Sequence, residues 1–415
     1  MKIIIKNISQ IIQTERKNIS FLYGKNMRNL NVINDGFIEI SNGIITNYGN
    51  MSNWSGIDDW NNIKIIDAEG GSVFPSYCDS HTHLVFAETR EKEFVDRIKG
   101  LSYQEIAELG GGILNSARKL EKLSEEELYK KAKKNINKII ESGTGAVEIK
   151  SGYGLSTDSE LKILRVIKKL KQTSEITIKS TFLGAHAIPK KYESNRTQYL
   201  NLIINEMLPL IAEENLADYI DVFCEKSYFS VEETIKILNA GKKYKLQAKT
   251  HVNQFNALGG VKASVDSGAL SVDHLEILTK DDIISLTESK CMPTALPSCS
   301  FFLGLPYSPV RELINNNLPV AIASDYNPGS SPSGNMNFIL SLACIKLKMT
   351  PEEAINAATI NSAYAMGVEK ELGSIDIGKR ANLFITKKIP GYSYLPYSFG
   401  ENLIKTKILN GKVQQ

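Results

Sequence analysis

The sequence predicts an α/β protein, a (β/α)8 TIM-type barrel with a small β-sandwich domain built from both chain ends. Short apolar runs alternate with longer amphipathic segments through the middle of the chain, and both ends carry only β-type patterns. The length of 415 residues suits one such barrel with an attached domain. We expect the small β-domain at residues 1–72 plus 374–415 and the barrel at residues 73–373.

Composition excludes several classes of protein. The 49 Lys and Arg residues nearly balance the 46 Asp and Glu residues, so bulk charge predicts neither nucleic-acid nor membrane binding. No run reaches the ~18 apolar residues of a membrane helix, and the N-terminal apolar run is too short for a signal peptide. The five cysteines are scattered without a CxxC pair, which argues against a disulfide framework. We therefore expect a cytoplasmic protein.

The chain ends contain short β-type segments that glycine and asparagine interrupt at hairpin spacing. They are KIIIKN, FIEISNGIITNYG and NIKIIDAEGG at the start, and SIDIGKRANLFITKK and LIKTKILNGKV at the end. Because they lie on either side of the barrel region, the two ends are expected to meet in one small domain.

The middle of the chain contains eight runs typical of buried parallel strands. They are SVFPSYCDSHTH, GAVEIKSGYG, ITIKSTFLGAH, YIDVFCEK, LQAKTHVNQ, ALSVDHLE, CMPTALPS and VAIASDYNPG. Segments with helical periodicity between them include SYQEIAELGGGILNSARKLEKL, SEEELYKKAKKNINKIIESG and SVEETIKILNAGKK. Repeated strand–helix alternation favours a closed barrel over an open sheet.

Unusual polar residues stand where these predicted strands end, and all five histidines are among them. In a barrel they would meet at the carboxyl ends of the strands, where such enzymes place their chemistry. His81 and His83 form a His-x-His pair, and such a pair on a strand points both imidazoles to one face. With His251 and Asp325 they offer three nitrogens and one carboxylate, a set that suits Zn(II) or Fe(II).

At these residues the chain resembles the metal-dependent amidohydrolase superfamily and, within it, the imidazolonepropionase family. The resemblance covers nearly the whole chain and is most specific in HTHLVFAETREKEF, ELGGGI, KSGYGL, TFLGAHAIP, VDHLE, FFLGLPYSP and SDYNPGSSPSGNM. It implies hydrolysis of the ring amide of 4-imidazolone-5-propanoate to N-formimidoyl-L-glutamate, a reaction of histidine degradation. It also implies a small-molecule substrate, one Zn(II) or Fe per chain, and a homodimer.

The resemblance assigns functions to particular residues. It implies that the metal ligands are His81, His83, His251 and Asp325, and that the substrate-binding residues are Arg90, Tyr153, His186, Asn327, Gly329 and Ser330. The last three belong to a loop that would hold the glutamate end of the product, and its backbone N–H groups suit a carboxylate.

Each of these residues also has a simpler interpretation. Arg90 suits the propionate of the substrate, but without the resemblance a solvated helix face is favoured. Tyr153 could be a packed loop aromatic, and His186 could be purely structural. The loop after Asp325 would pass for an ordinary turn.

We expect Asp325 to take a proton from the attacking water and to pass it to the departing ring nitrogen. His274 would stabilise the oxyanion or relay that proton. Gln254 stands where deaminases of the superfamily carry glutamate, and it can hydrogen-bond the ring but cannot act as a base. Lys226 lies near the fourth strand's end, where binuclear members carry a bridging lysine, and the spacing leaves its position ambiguous. The alternatives are another cyclic amidase or aminohydrolase, and a non-catalytic scaffold.

Overall fold

The computed structural model describes residues 2–14, 19–57 and 60–414. The parts of the predicted β-domain that fall on residues 1, 15–18, 58–59 and 415 lie outside the described residues. The strands are β1 Lys2–Ile12, β2 Val32–Ser41, β3 Ile44–Asn50, β4 Ile63–Asp67, β5 Val73–Pro75, β6 Tyr77–Thr82, β7 Thr144–Lys150, β8 Thr177–Ala185, β9 Tyr219–Cys224, β10 Gln247–Val252, β11 Ser271–His274, β12 Met292–Ala295, β13 Ala321–Ile322, β14 Leu383–Thr386, β15 Ile404–Leu409 and β16 Lys412–Gln414.

The helices lie mainly between the barrel strands. They are α1 Glu91–Ile98, α2 Tyr103–Glu108, α3 Gly112–Glu121, α4 Glu125–Glu141, α5 Thr157–Thr173, α6 Arg196–Leu202, α7 Leu208–Glu213, α8 Val231–Lys243, α9 Gly260–Asp266, α10 Lys280–Thr287, α11 Pro297–Leu303, α12 Val310–Asn315, α13 Met336–Ile345, α14 Pro351–Asn356, α15 Ser362–Ala365 and α16 Tyr394–Tyr397. The segments Ile203–Met207 and Ala357–Asn361 are π-helical, and short 3₁₀ turns cover Gly24–Arg28, Met51–Asn53 and Lys190–Tyr192.

Strands β6 to β13 form the predicted barrel. Each pairs in parallel with the next, in chain order, and each of the eight predicted runs overlaps one of these strands. The barrel closes where a parallel bridge joins Thr82, at the end of β6, to Tyr326, just after β13. The predicted fold class is confirmed.

The helices begin at sequence signals that satisfy free backbone N–H groups. Ser124 before α4 and Ser230 before α8 form capping boxes with the glutamates three residues later. The predicted helical segment at 102–123 is divided into α2 and α3. The reason is local, because Gly110 and Gly112 adopt φ of 89° and 69°, which a continuous helix cannot contain.

The chain ends form a separate second sheet, as predicted. Its order is β16-β15-β14-β5-β1-β2-β3, with β4 paired to β1, so the two chain ends meet through β5. Strand β5, which we placed in the barrel segment, pairs with this sheet. The chain-end sheet has an apolar core of its own, made mainly of isoleucines, among them Ile3, Ile5, Ile8, Ile11, Ile38 and Ile40.

No helix within the part of the chain that the structure describes is both long enough and apolar enough to cross a membrane.

Candidate metal centre and substrate pocket

The five histidines meet at the carboxyl ends of the barrel strands. His81 and His251 have ring centroids 4.4 Å apart, and His83 lies 5.2 Å from His186. His274 lies 5.4 Å from His251 by the same measure. All five rings are buried, so one compact imidazole cluster fills this end of the barrel.

Barrel closure brings Asp325 to the His-x-His pair. The backbone N–H of Asp325 donates to the His81 carbonyl at 3.0 Å, and the N–H of His83 donates to the Tyr326 carbonyl at 2.9 Å. Asp325 Oδ1 then lies 3.6 Å from His81 Nε2 and 3.7 Å from His83 Nε2. Asp325 has a φ of 52°, in the left-handed region that non-glycine residues adopt less often.

The nitrogens that face Asp325 fit a cation. His251 Nε2 lies 3.3 Å from His83 Nε2, and His81 Nε2 is buried with no hydrogen-bond partner among the described residues. Burial lowers the pKa of His81 and of His83 well below 6.5, which leaves the neutral imidazole that binds metals. Converging neutral nitrogens beside one carboxylate are the donor set of a Zn(II) or Fe(II) site.

Carboxylates lie behind two of these histidines. His81 Nδ1 is 2.7 Å from Asp273 Oδ2, and His251 Nδ1 is 2.9 Å from Asp221 Oδ2. The hydrogen bond from Nδ1 of His81 to Asp273 fixes the tautomer whose Nε2 carries the free lone pair, while Asp221 contacts Nδ1 of His251 and accepts from its backbone N–H at 3.1 Å. Sequence reasoning missed both aspartates, although a charged residue inside an otherwise apolar strand could have identified them.

His274 and Gln254 complete the polar wall beside the histidine cluster. His274 adopts a φ of 90°, and its Nδ1 lies 3.4 Å from Glu276 Oε1. Burial opposes protonation of His274, but the charges of Glu276 and two aspartates raise its pKa above 6.5. Gln254 donates from Nε2 to the Cys299 sulfur at 3.3 Å.

Arg90 is buried in the pocket, which excludes the solvated-helix interpretation. It immediately precedes α1 and is 7% exposed, and its Nη2 donates to the Tyr153 hydroxyl at 3.4 Å. His186 Nδ1 lies 3.0 Å from the Gly152 carbonyl, which can only accept, so Nδ1 carries the proton. Burial, with a contribution from His251, lowers the pKa of His186 to about 3. Its Nε2 is therefore an acceptor facing the cavity.

The loop after β13 is tied to Asp325. Asn327 Oδ1 accepts from the N–H groups of Gly329 and Ser330, both at 2.8 Å, and Ser330 Oγ donates to Asp325 Oδ2 at 3.1 Å. These two N–H groups, which we expected to be available for a carboxylate, are therefore occupied by a side chain. A Cβ added at Gly329 would lie 2.4 Å from Arg90 Cζ, so the loop also packs directly against the guanidinium.

These residues line a cavity of about 30 Å³. Its lining residues are His83, Arg90, Ile113, Tyr153, His186, Phe223, His251, Gln254, Phe255, His274, Asp325, Asn327 and Ser330. Ile113 and Phe255 also line a larger cavity of about 1170 Å³ at the barrel mouth.

The ambiguous lysine at the fourth barrel strand is resolved. Lys226 is exposed, whereas its neighbour Glu225 is buried and accepts from the backbone N–H groups of Phe255 and Asn256. Lys226 is therefore not a bridging ligand in this structure. Cys224 and Cys299 are both buried, consistent with small packing residues.

Comparisons with known proteins identify the family. A model described as the amidohydrolase family matches residues 72–413. Imidazolonepropionases from Flavobacterium psychrophilum and Christiangramia forsetii are 57% and 53% identical over 413 residues, with 100% of both chains covered in each case. The structure of E. coli guanine deaminase, at 15% identity, has the same fold with a TM-score of 0.76 over 100% of this chain and 99% of that chain. The chain therefore belongs to the amidohydrolase family and, within it, to the imidazolonepropionases.

Proposed function

We propose that this chain hydrolyses the ring amide of 4-imidazolone-5-propanoate to N-formimidoyl-L-glutamate, a step of histidine degradation. The observation that carries the proposal is the pocket itself, in which a histidine cluster that could hold a cation and a buried arginine line one cavity. The curated relatives, which match this chain over its whole length, bear the name of this enzyme. The substrate combines a cyclic amide with a propionate, and the pocket offers one group for each.

The cluster would hold one Zn(II) or Fe per chain through His81, His83, His251 and Asp325. Such a cation, when bound, supplies Lewis acidity to the ring carbonyl and lowers the pKa of the attacking water. The exposure of Lys226 supports a single cation rather than a bridged pair.

Asp325 is placed to handle the transferred proton. Its Oδ1 faces the histidine nitrogens, while its Oδ2 accepts a hydrogen bond from Ser330. Asp325 takes a proton from water as the water oxygen bonds to the carbonyl carbon, and it returns that proton to the ring nitrogen as the C–N bond breaks. His274 donates to the oxyanion that forms between these events, and its contact with Glu276 favours the protonated ring.

The remaining residues orient the substrate. Arg90 provides a planar pair of donors for the propionate, and Tyr153 lies against the same guanidinium. His186 accepts through Nε2 from an N–H of the substrate ring. Gln254 forms a hydrogen bond to the same ring and does not act as a base. Asn327, Gly329 and Ser330 act by holding Asp325 and by packing against Arg90.

The protein acts as a homodimer in the cytoplasm under this proposal. The family resemblance supports the dimer, and the scattered cysteines, none of them disulfide-bonded among the described residues, support a reducing compartment.

The decisive experiment follows both sides of the reaction with the metal-loaded protein. We expect the ultraviolet absorbance of imidazolonepropanoate to fall while formimidoylglutamate appears in equal amount by mass spectrometry. Arg90→Gln should raise KM for this substrate far more than it lowers kcat, whereas Arg118→Gln on the exposed side of α3 serves as the matched control. Release of ammonia, or turnover only of other cyclic amides, would contradict the proposal.

A further inference from the structure

A layer of buried charged side chains lies directly beneath the histidine cluster, inside the barrel. Its members project from neighbouring strands and are each 1% exposed or less: Glu148, Lys150, Asp221, Lys249 and Asp273. Burying so many charges costs free energy unless each is paired. The proposed reaction gives no function to Glu148, Lys150 or Lys249. Their arrangement therefore needs its own explanation.

Lys150 occupies the centre of this layer. Its ammonium donates to Glu148 Oε1 at 2.7 Å and to Asp221 Oδ2 at 2.8 Å, and it lies 3.5 Å from Asp273 Oδ2. Three oxygens around one ammonium match its three N–H donors. Glu148 also accepts from Thr181 and Lys249.

The two aspartate oxygens that face Lys150 are the same atoms that face the histidines. Asp221 Oδ2 lies 2.9 Å from His251 Nδ1, and Asp273 Oδ2 lies 2.7 Å from His81 Nδ1. One ammonium therefore connects the carboxylates behind two candidate metal ligands that come from different strands of the barrel.

We propose that Lys150 is a positioning residue that sets the orientation of both carboxylate–histidine pairs at once. Its positive charge keeps the two close carboxylates side by side. Asp273 hydrogen-bonds Nδ1 of His81, and Asp221 contacts Nδ1 of His251 and accepts from its backbone N–H at 3.1 Å, so both rings would be held with Nε2 towards the cation. The inference rests on the proposed metal site and adds to it a single residue on which two ligands depend.

Lys249 provides a matched control. It is as deeply buried as Lys150 and bonds to the same Glu148, but its other contacts are the carbonyls of Ser80 and Ala365, each at 3.2 Å, and the ring of Tyr219. Lys249→Met thus removes an equivalent buried ammonium, while the contacts of Lys150 with both aspartates remain.

The test measures Zn²⁺ affinity by competition with a chromogenic chelator in the full-length wild type, Lys150→Met and Lys249→Met. Folding is followed by circular dichroism. We expect Lys150→Met to weaken Zn²⁺ binding by about 10- to 100-fold, the usual effect of losing a residue that supports metal ligands, and Lys249→Met by less than about threefold. The visible spectrum of the Co²⁺-loaded protein, which reports ligand geometry, should change in Lys150→Met alone.

Unchanged Zn²⁺ affinity and an unchanged Co²⁺ spectrum in folded Lys150→Met would overturn the inference, as would equal losses in both variants. If Lys150→Met does not fold, the same criteria apply to Lys150→Met/Glu148→Gln, which removes one positive and one negative charge together. A wild type that binds no Zn²⁺ would instead refute the proposed metal site, so the two failures are distinguishable.

Discussion

The interior of the barrel and the core of the chain-end sheet are equally buried, but the first contains charged side chains and the second contains aliphatic side chains. The sheet core is almost wholly aliphatic, with Ile3, Ile5 and Ile8 at 1% exposure or less. The barrel interior beneath the site contains lysines and carboxylates that are equally inaccessible.

The two kinds of buried side chain contribute differently, one to the stability of the fold and the other to the positioning of functional groups. Aliphatic burial stabilises the fold in proportion to the area removed from water. Buried charges add little net stability even when fully paired, but they hold neighbouring groups in one geometry. Substitutions in the sheet should therefore lower the free energy of unfolding and leave kcat/KM unchanged. Substitutions around the site should lower kcat/KM with a smaller effect on the free energy of unfolding.

The largest expected effect is that of Asp325→Asn. The amide cannot take the proton from water, so kcat/KM should fall by about 10³-fold or more, equivalent to about 4 kcal/mol of transition-state stabilisation. Steady-state assays and metal analysis measure this, with the exposed Asp281→Asn as control. A variant that retains metal and near-normal turnover would refute the function given to Asp325.

The opposite outcome is expected in the chain-end sheet. Ile5 is fully buried and pairs with Ile38 and Ile66 on neighbouring strands. Ile5→Ala should lower the free energy of unfolding by about 3 kcal/mol, because it leaves a cavity, while kcat/KM of the folded protein stays unchanged. Urea unfolding measures the loss. Ile65→Ala, at a position 40% exposed, should cost much less, and equal losses would contradict the packing argument.

The free energy of unfolding of the metal-free protein should fall as the pH is lowered, because His186 is buried in its neutral form. The pKa of His186 is about 3 in the folded chain against 6.5 ordinarily, because burial opposes its charge. Between these values the unfolded chain binds more protons, so stability falls as pH falls. From pH 7 to pH 5 this one group should cost about 2 kcal/mol. Urea unfolding of the wild type and of His186→Gln should reveal that difference, and parallel pH dependence in both would exclude it.

The smallest effect tests the contact between the loop and the arginine. In Gly329→Ala the new Cβ would lie 2.4 Å from Arg90 Cζ, and the guanidinium, as the end of a long side chain, can move away. We expect KM to rise about tenfold, equivalent to about 1.4 kcal/mol, with stability nearly unchanged. Gly400→Ala, where a Cβ meets nothing within 4 Å, is the matched control. An unchanged KM would show that Arg90 does not depend on this contact.

The features that depend only on the order of strands and helices along the chain could be predicted from the sequence. Strand–helix alternation predicted the barrel, and a polar residue at a strand end reaches the barrel mouth whichever helices follow, so His81, His83, His251 and Asp325 could be grouped in advance. The pairing of Asp221 and Asp273 with histidine nitrogens could not be, because it depends on which side chains face each other across the barrel interior. The burial of Arg90 likewise depends on how the loop after β13 packs against it.

Barrel closure has a consequence for biosynthesis. Asp79 and Ser324, whose hydrogen bonds join the first and last barrel strands, are 245 residues apart in the sequence. Asp325 reaches His81 and His83 only across that junction. A nascent chain on the ribosome therefore cannot assemble the proposed four-ligand site until β13 and the residues after it have emerged, long after the His-x-His pair has been made. Under the proposed ligand assignment, the cation would therefore be acquired late, by a nearly finished barrel.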